Sequence, residues 1–116
     1  MATFSKLPLS GASNGKQIAV AATATAGTLI HTAVSGTTDW DEITLSAVNI
    51  SVTDTLLTIE YGGTTAADQI KVIVPAQGGL TLVLPGHILQ NSLVVRAFAA
   101  TTNVINIGGY VNRIAA

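Results

Sequence analysis

Residues 69–84, with the sequence QIKVIVPAQGGLTLVL, decide the fold. Apolar residues alternate along the first six positions and again along the last five, and Pro75 and Gly78-Gly79 separate the two runs. An alternation with a period of two is typical of β-strands, because successive side chains point to opposite faces, whereas proline and glycine are typical of turns. This stretch therefore predicts two short strands joined by a turn.

The same arrangement recurs on both sides of this stretch. No window of ten residues shows an apolar period of 3.6, so we expect very little helix. We predict eight strands, at residues 16–24, 28–34, 42–52, 55–61, 69–74, 79–84, 92–99 and 103–113. This pattern favours an all-β fold, an antiparallel two-sheet sandwich of about eight strands with a jelly-roll or Greek-key topology, and it leaves the strand order open.

The length of 116 residues is typical of a single domain. Residues 1–15 carry turn-forming residues, among them Pro8, Gly11 and Asn14-Gly15, and we interpret them as an N-terminal arm that leads into a β-sandwich domain at 16–116. The first residues do not predict a secretory signal, and we expect no membrane-spanning segment.

Strand alternation also predicts which side chains point into the core. In the third predicted strand the apolar positions change parity after Ala47, and a one-residue bulge at that point would explain the change. The predicted inward-facing residues are Ile18, Val20, Ala22, Ile30, Val34, Ile43, Leu45, Ala47, Leu57, Ile59, Tyr61, Ile70, Val72, Val74, Leu80, Leu82, Leu84, Leu93, Val95, Ala97, Ile105, Ile107 and Val111.

The composition argues against several functional classes. Five basic residues and a net charge of -1 make nucleic acid an unlikely partner, because neutralising phosphates needs clustered lysine and arginine. The chain has no cysteine, so disulfides and thiolate chemistry are excluded. His31 and His87 are the two histidines, and no Gly-x-Ser-x-Gly motif accompanies them. We therefore predict neither catalysis nor a cofactor.

Asp39, Asp41 and Glu42 form the one acidic cluster in the sequence. Their oxygen atoms are suitable ligands for Ca²⁺, but the spacing and the glycine of a calcium loop are missing. The segment 36–43 also resembles 63–70, where Asp68 takes the place of Asp41 without acidic neighbours. We interpret both aspartates as turn-capping residues and predict no metal site.

The low charge content predicts contact with other chains. Charged residues make up 9% of the chain, although independent soluble domains have about a quarter to a third of their surface charged. Several strands are apolar on both faces, and one sandwich covers only one face of each sheet. We therefore expect a homo-oligomer, with interface candidates at Val94, Phe98, Val83, Trp40 and Tyr110.

Three parts of the chain resemble small virion proteins of tailed bacteriophages. The resemblance lies in residues 16–25, in 57–65, and in 93–99 continuing through 103–113. It implies a capsid decoration protein, also called a cement protein. Such a protein is a small β domain, often a homotrimer, that sits on the outer surface of the head and bridges major capsid protein subunits. No catalytic residue is implied.

Given this resemblance, the N-terminal arm is our candidate for the segment that contacts the capsid. The side chains expected to make the contact are Phe4, Lys6, Leu7 and Leu9, and we expect the arm to become ordered on binding.

Two alternatives remain open at this point. A phage tail, baseplate or fibre module would need the same exposed apolar faces. A small carbohydrate-binding β-sandwich would use Trp40 as a flat platform for a sugar ring, with Asp39 and Asp41 beside it.

Overall fold

A computed structural model describes residues 2–116 of the chain. One 3₁₀ turn, at Ala66–Asp68, precedes the sixth strand. The strands are β1 (Thr3–Pro8), β2 (Ile18–Ala19), β3 (Thr28–Thr32), β4 (Trp40–Asn49), β5 (Thr55–Tyr61), β6 (Gln69–Val74), β7 (Thr81–Leu89), β8 (Val94–Ala99) and β9 (Ile105–Ala115).

The strands form two antiparallel sheets, which confirms the predicted sandwich. Sheet I has the order β1-β9-β4-β7, with the short β2 also paired to β9, and sheet II has the order β3-β8-β5-β6. The pairing is concentric: β1 and β2 pair with β9, β3 with β8, β4 with β7, and β5 with β6. A long hairpin rolled up in this way is a jelly roll, so the strand order selects one of the two topologies that the sequence left open.

The core lies between the two sheets and consists of aliphatic side chains. Ile43 and Leu45 of sheet I face Leu57 and Ile59 of sheet II, and all four are fully buried. Most predicted inward positions are buried or partly buried. Leu80, Leu82 and Leu93 are the exceptions, since they are 68%, 59% and 42% exposed.

The predicted bulge lies on a different strand. The pairing of β4 with β9 runs without a shift from Trp40 to Asn49, so β4 is regular at Ala47. The register shifts occur between β4 and β7, where β7 supplies the extra residues. One shift includes Gly86, which has a φ of 89°. These shifts change the parity of β7, which explains why Leu84 is buried and Leu82 is not.

The N-terminal segment is part of sheet I. Residues 3–8 pair with β9 along their whole length, from Thr3 opposite Ala115 to Pro8 opposite Tyr110. Leu9 then enters the core and is 1% exposed. The structure therefore joins most of the predicted arm to the sandwich, because β9 extends far enough to offer β1 a partner.

Candidate functional site

A charged network is buried at the end of the sandwich where β3, β4 and β9 meet. Asp41 of β4 is fully buried, and His31 of β3 is 2% exposed. The Asp41 carboxylate accepts hydrogen bonds from His31 Nε2 at 2.8 Å, from Arg113 Nε at 2.8 Å and from Arg113 Nη2 at 3.0 Å. We call this group the His31–Asp41–Arg113 network.

Two backbone amides complete the network. The Val34 N–H donates to Asp41 Oδ2 at 3.0 Å, and the Ser10 N–H donates to His31 Nδ1 at 3.0 Å. Since Nδ1 accepts a hydrogen bond, Nε2 carries the ring proton and donates it to Asp41. The network therefore fastens the chain after β1 to β3, β4 and β9.

The network lowers the pKa of Asp41. Burial alone raises the pKa of this carboxyl group, but the hydrogen bonds from Arg113 and His31, together with the charge of Arg113, more than offset the effect. The pKa of Asp41 consequently lies below its usual value of 3.8. The same hydrogen bond raises the pKa of Arg113.

The geometry of His31 is that of a structural residue. Both ring nitrogens already have protein partners, and the Ser10 hydroxyl accepts the Thr32 N–H at 2.7 Å. A nucleophile would need its hydroxyl within hydrogen-bond reach of a ring nitrogen that is free to take the proton. His87 is exposed and packs edge-on against the Tyr61 ring, with the ring centroids 5.9 Å apart.

A second buried carboxylate lies on the outer side of sheet II. Glu60 of β5 is fully buried because the loop before β3 folds over it. It accepts the Gly27 N–H at 2.7 Å and the Thr25 hydroxyl. Arg96 of the neighbouring strand β8 donates to the Gly27 carbonyl at 3.4 Å. These bonds hold the loop at 20–27 against the sheet.

A shallow cleft of about 210 Å³ opens between the β5–β6 and β7–β8 loops. Gly62, Gly63 and Ser92 line it, and Arg96 is the one charged residue in its wall. The cleft is open to solvent over much of its area and does not bring ionisable groups together.

The acidic cluster is divided by the fold. Asp41 points into the core, whereas Glu42, the next residue on β4, lies on the outer face and accepts a hydrogen bond from Asn112 at 3.2 Å. Asp39 accepts the Ala116 N–H at 3.0 Å. Within residues 2–116, no three His, Asp or Glu side chains come together as a metal site would require.

The strand alternation that divides this cluster also separates Trp40 from Asp41. Trp40 is 38% exposed on the outer face of sheet I, while Asp41 is on the inner face. A carbohydrate-binding site that uses Trp40 together with Asp41, one of the alternatives that the sequence leaves open, would need both side chains on the same face of the sheet. Asp68, the counterpart of Asp41 in the similar segment, accepts the Thr65 hydroxyl at 2.9 Å.

Sheet I carries an apolar row on its outer face. Phe4 of β1 and Trp40 of β4 both lie opposite Ile114 of β9, so the three side chains cross three adjacent strands. Phe4 is 70% exposed. One step along the strands, the Lys6 ammonium lies 4.3 Å from the centre of the Tyr110 ring. We call Phe4, Trp40 and Ile114 the aromatic row.

A second group of exposed apolar residues surrounds the opposite end of the sandwich. These residues lie at the end of β4, the beginning of β5, the end of β6 and the beginning of β7. Asp54 is a charged residue of this region, and its Oδ1 accepts the Ala76 N–H at 2.9 Å. We call this group the apolar end; its members are Ile50, Val52, Leu56, Ile73, Leu80 and Leu82, each at least 40% exposed.

The residues predicted to make contacts have different environments. Phe4 and Lys6 of the arm are exposed, Leu7 is half-buried, and Leu9 belongs to the core and is not available for a surface contact. Among the interface candidates, Trp40 and Tyr110 are 38% and 37% exposed. Val83, Val94 and Phe98 are half-buried.

The apolar end does not follow from the strand pattern of the sequence. The parity of Leu80 and Leu82 predicts core positions for both, and the alternation predicts that Ile50 and Val52 belong to a strand, which in the structure ends at Asn49. A signal was present in Ser51, Thr53 and Asp54, since short polar residues are typical of a turn. That turn begins with Asn49, whose side chain bonds the Ser51 amide and the Thr53 carbonyl.

No known protein family, curated protein or solved structure matches the chain at a significant level. Among residues 2–116 there is no helix with the length and apolar character needed to cross a membrane.

Proposed function

We propose that this protein is a structural subunit of a bacteriophage virion, a capsid decoration (cement) protein that binds the outer surface of the head as a homo-oligomer. One observation carries the proposal: among residues 2–116, twelve large hydrophobic side chains are at least 37% exposed, and the sequence has only eleven formally charged residues. A surface of this kind is typical of a protein whose work is contact with other chains. The resemblance to small virion proteins supplies the virion context.

Such a protein acts through binding free energy. It stabilises the shell because it binds the assembled arrangement of capsid subunits and not the separated subunits. In a homo-oligomer each copy contributes a contact, and the linked contacts hold more strongly than one contact alone. We propose no catalytic step and no cofactor.

The aromatic row is our candidate for the capsid contact. Phe4 and Trp40 offer large flat surfaces, and aromatic residues contribute strongly to interfaces. Lys6 and Glu42 on the next row of sheet I can fix the orientation through charge. Phe4 and Lys6, which the sequence also predicts as capsid contacts, belong to this surface. Leu9 does not, because it is buried in the core.

Self-association is tested by sedimentation and light scattering on the purified protein at micromolar concentration. We expect a defined oligomer, and the resemblance favours a trimer. A stable monomer at these concentrations would contradict the homo-oligomer.

The location is tested by labelling a tagged copy in assembled particles and imaging them by electron microscopy. We expect label over the head, in many copies. Label confined to the tail, the baseplate or the fibres would support the tail-module alternative, and absence from particles would refute a virion role.

The capsid contact is tested by the double substitution Phe4→Ser and Trp40→Ser. We expect an intact fold and lower occupancy on particles, because both side chains are on the surface. The matched control is Ile50→Ser with Val52→Ser, which removes as much exposed apolar area from the apolar end. Equal occupancy for both variants would contradict the aromatic row as the contact.

A further inference from the structure

Within residues 2–116, three asparagine residues are exposed: Asn14 in the loop between β1 and β2, Asn91 in the β7–β8 loop, and Asn103 in the β8–β9 loop. All three have a left-handed backbone, with φ of 54°, 63° and 58°. Because their exposure and φ are similar, the three asparagines differ chiefly in the residue that follows each of them. These residues are Gly15, Ser92 and Val104.

The residue that follows an asparagine can react with its side chain. The backbone nitrogen of that residue attacks Cγ, the new N–Cγ bond forms, and the bond from Cγ to Nδ2 breaks, so that Nδ2 leaves as ammonia. The product is a five-membered succinimide ring. Water then adds to one of the two ring carbonyls and gives either aspartate or isoaspartate, in which the main chain runs through Cγ. Water is the one co-reactant, and asparagine is accordingly a heat-labile residue in proteins.

The nitrogen of Gly15 is accessible for this attack. Glycine has no Cβ to shield its nitrogen, and Gly15 is exposed, with open space where a Cβ would lie. Among the described residues, the Gly15 N–H donates to no backbone acceptor. The nitrogen can therefore approach the Asn14 side chain without first losing a hydrogen bond.

The other two exposed asparagines have better protected neighbours. The Ser92 N–H donates to the Val34 carbonyl at 3.0 Å, so an attack on Asn91 must first break this bond. Val104 is half-buried and β-branched, and its branched side chain crowds the nitrogen that would attack Asn103. Both asparagines should consequently react more slowly than Asn14.

The turn that contains Asn14 is only weakly held. The loop is attached to β3 at Ser10, whose N–H and hydroxyl both have partners on that strand. Over the described part of the chain, residues 13–16 make one hydrogen bond, from the Lys16 N–H to the Ser13 carbonyl at 3.0 Å. A turn closed by one exposed bond opens at a low cost in free energy. The opened turn allows the Asn14 side chain to adopt the geometry of ring closure.

We propose that Asn14 is a site of spontaneous deamidation, with the Gly15 nitrogen as the nucleophile and a succinimide as the intermediate. The reaction replaces a neutral amide by a carboxylate next to Lys16, so the formal net charge of -1 becomes one unit more negative. Residues 13–16 lie outside both sheets, and the sandwich therefore keeps its fold while the charge of this loop changes.

The first test is incubation of the purified wild-type protein at pH 9, followed by proteolytic digestion and mass spectrometry. We expect the mass increase of deamidation at Asn14 at a rate at least about tenfold above the rates at Asn91 and Asn103. At pH 6 the reaction should be slower, because the nitrogen attacks in its deprotonated form. Equal rates at the three asparagines would overturn the proposal.

The products identify the route. A succinimide opens to both aspartate and isoaspartate, whereas direct hydrolysis of the side-chain amide gives aspartate alone. Electron-based fragmentation of the peptide that contains Asn14 distinguishes the two products. We expect both, and aspartate alone would overturn the role of the Gly15 nitrogen.

The matched variants are Asn14→Gln and Asn91→Gln. Glutamine keeps the amide, but its longer side chain would have to close a six-membered ring, which forms more slowly. We expect the acidic species that ion-exchange chromatography separates from wild-type protein to accumulate at a small fraction of the wild-type rate in Asn14→Gln, and at the wild-type rate in Asn91→Gln. Equal accumulation in the two variants would overturn the proposal.

Discussion

The guanidinium group of Arg113 donates two hydrogen bonds to the buried carboxylate of Asp41, from Nε at 2.8 Å and from Nη2 at 3.0 Å. The two residues lie directly opposite each other on β9 and β4. Because His31 donates to the same carboxylate at 2.8 Å, this charge connects sheet I to sheet II. The end of the sandwich that presents the aromatic row is therefore held by ionic hydrogen bonds as well as by apolar packing.

The first prediction concerns the charge of Asp41. Asp41→Asn keeps the shape of the side chain and removes the charge that Arg113 and His31 share. We expect the free energy of unfolding to fall by about 1–3 kcal/mol, because the amide nitrogen of asparagine cannot accept the hydrogen bonds that one of the carboxylate oxygens receives. Urea unfolding measures the change. Glu42→Gln, the next residue on the outer face, is the control and should cost much less; equal losses would contradict the role of the network.

The second prediction concerns acid stability. In the unfolded chain Asp41 titrates near 3.8, and in the folded protein its pKa is lower, so the folded state binds fewer protons in this range. The stability from this group is therefore present above about pH 3.8 and is lost as the pH falls through the folded pKa. Unfolding free energies measured from pH 6 to pH 2 should fall less steeply for Asp41→Asn than for wild type. Parallel curves would contradict the shift.

The third prediction compares the two histidines. His31→Leu leaves the Ser10 N–H and one acceptor site of Asp41 without their partner, and we expect a loss of about 1–3 kcal/mol in the free energy of unfolding. His87→Leu, at an exposed position, should change it by less than about 0.5 kcal/mol. In NMR spectra of wild-type protein, the proton of His31 should reside on Nε2. A proton on Nδ1 would contradict the bond from Ser10.

The fourth prediction concerns alkaline stability. Burial raises the pKa of Tyr61 from 10.0 to about 12, and its hydroxyl donates to the Ile88 carbonyl at 2.8 Å. A raised pKa means that the folded state keeps a proton that the unfolded chain releases. The stability from this group is thus complete below pH 10 and is lost as the pH rises towards 12. Tyr61→Phe should remove this part of the fall in unfolding free energy at alkaline pH. A fall as steep as that of the wild-type protein would contradict the raised pKa of Tyr61.

The fifth prediction concerns the loop that covers Glu60. A Cβ atom on Gly27 would overlap the Ala97 carbonyl oxygen, so Gly27→Ala must displace the loop from β8. We expect a loss of at least about 2 kcal/mol in unfolding free energy, because the Glu60 carboxylate would also lose its amide donor. Gly36→Ala is the control. It has open space and a positive φ of 78°, and should cost only about 1 kcal/mol. Similar costs for both variants would contradict the close packing of the loop.

The sequence contains less information about the site than about the fold. His31 and Asp41 are visible in it as titratable residues, but nothing in their spacing indicates that they bond one another or that Arg113 joins them. Ten positions separate the first pair and 72 separate the second. Contacts at such distances depend on strand order, which local patterns do not encode.

What the sequence determined by itself is the class of structure. The alternation in strands such as Gln69–Val74, together with turn residues such as Pro75, fixes where strands form and which side is apolar, because both signals act over a few neighbouring residues. The tertiary structure decided the rest. It brought β1 beside β9, shifted the parity of β7 so that Leu82 faces solvent, and buried Asp41 between Arg113 and His31. These outcomes depend on which strands become neighbours, and that choice is made by the packing of the whole chain.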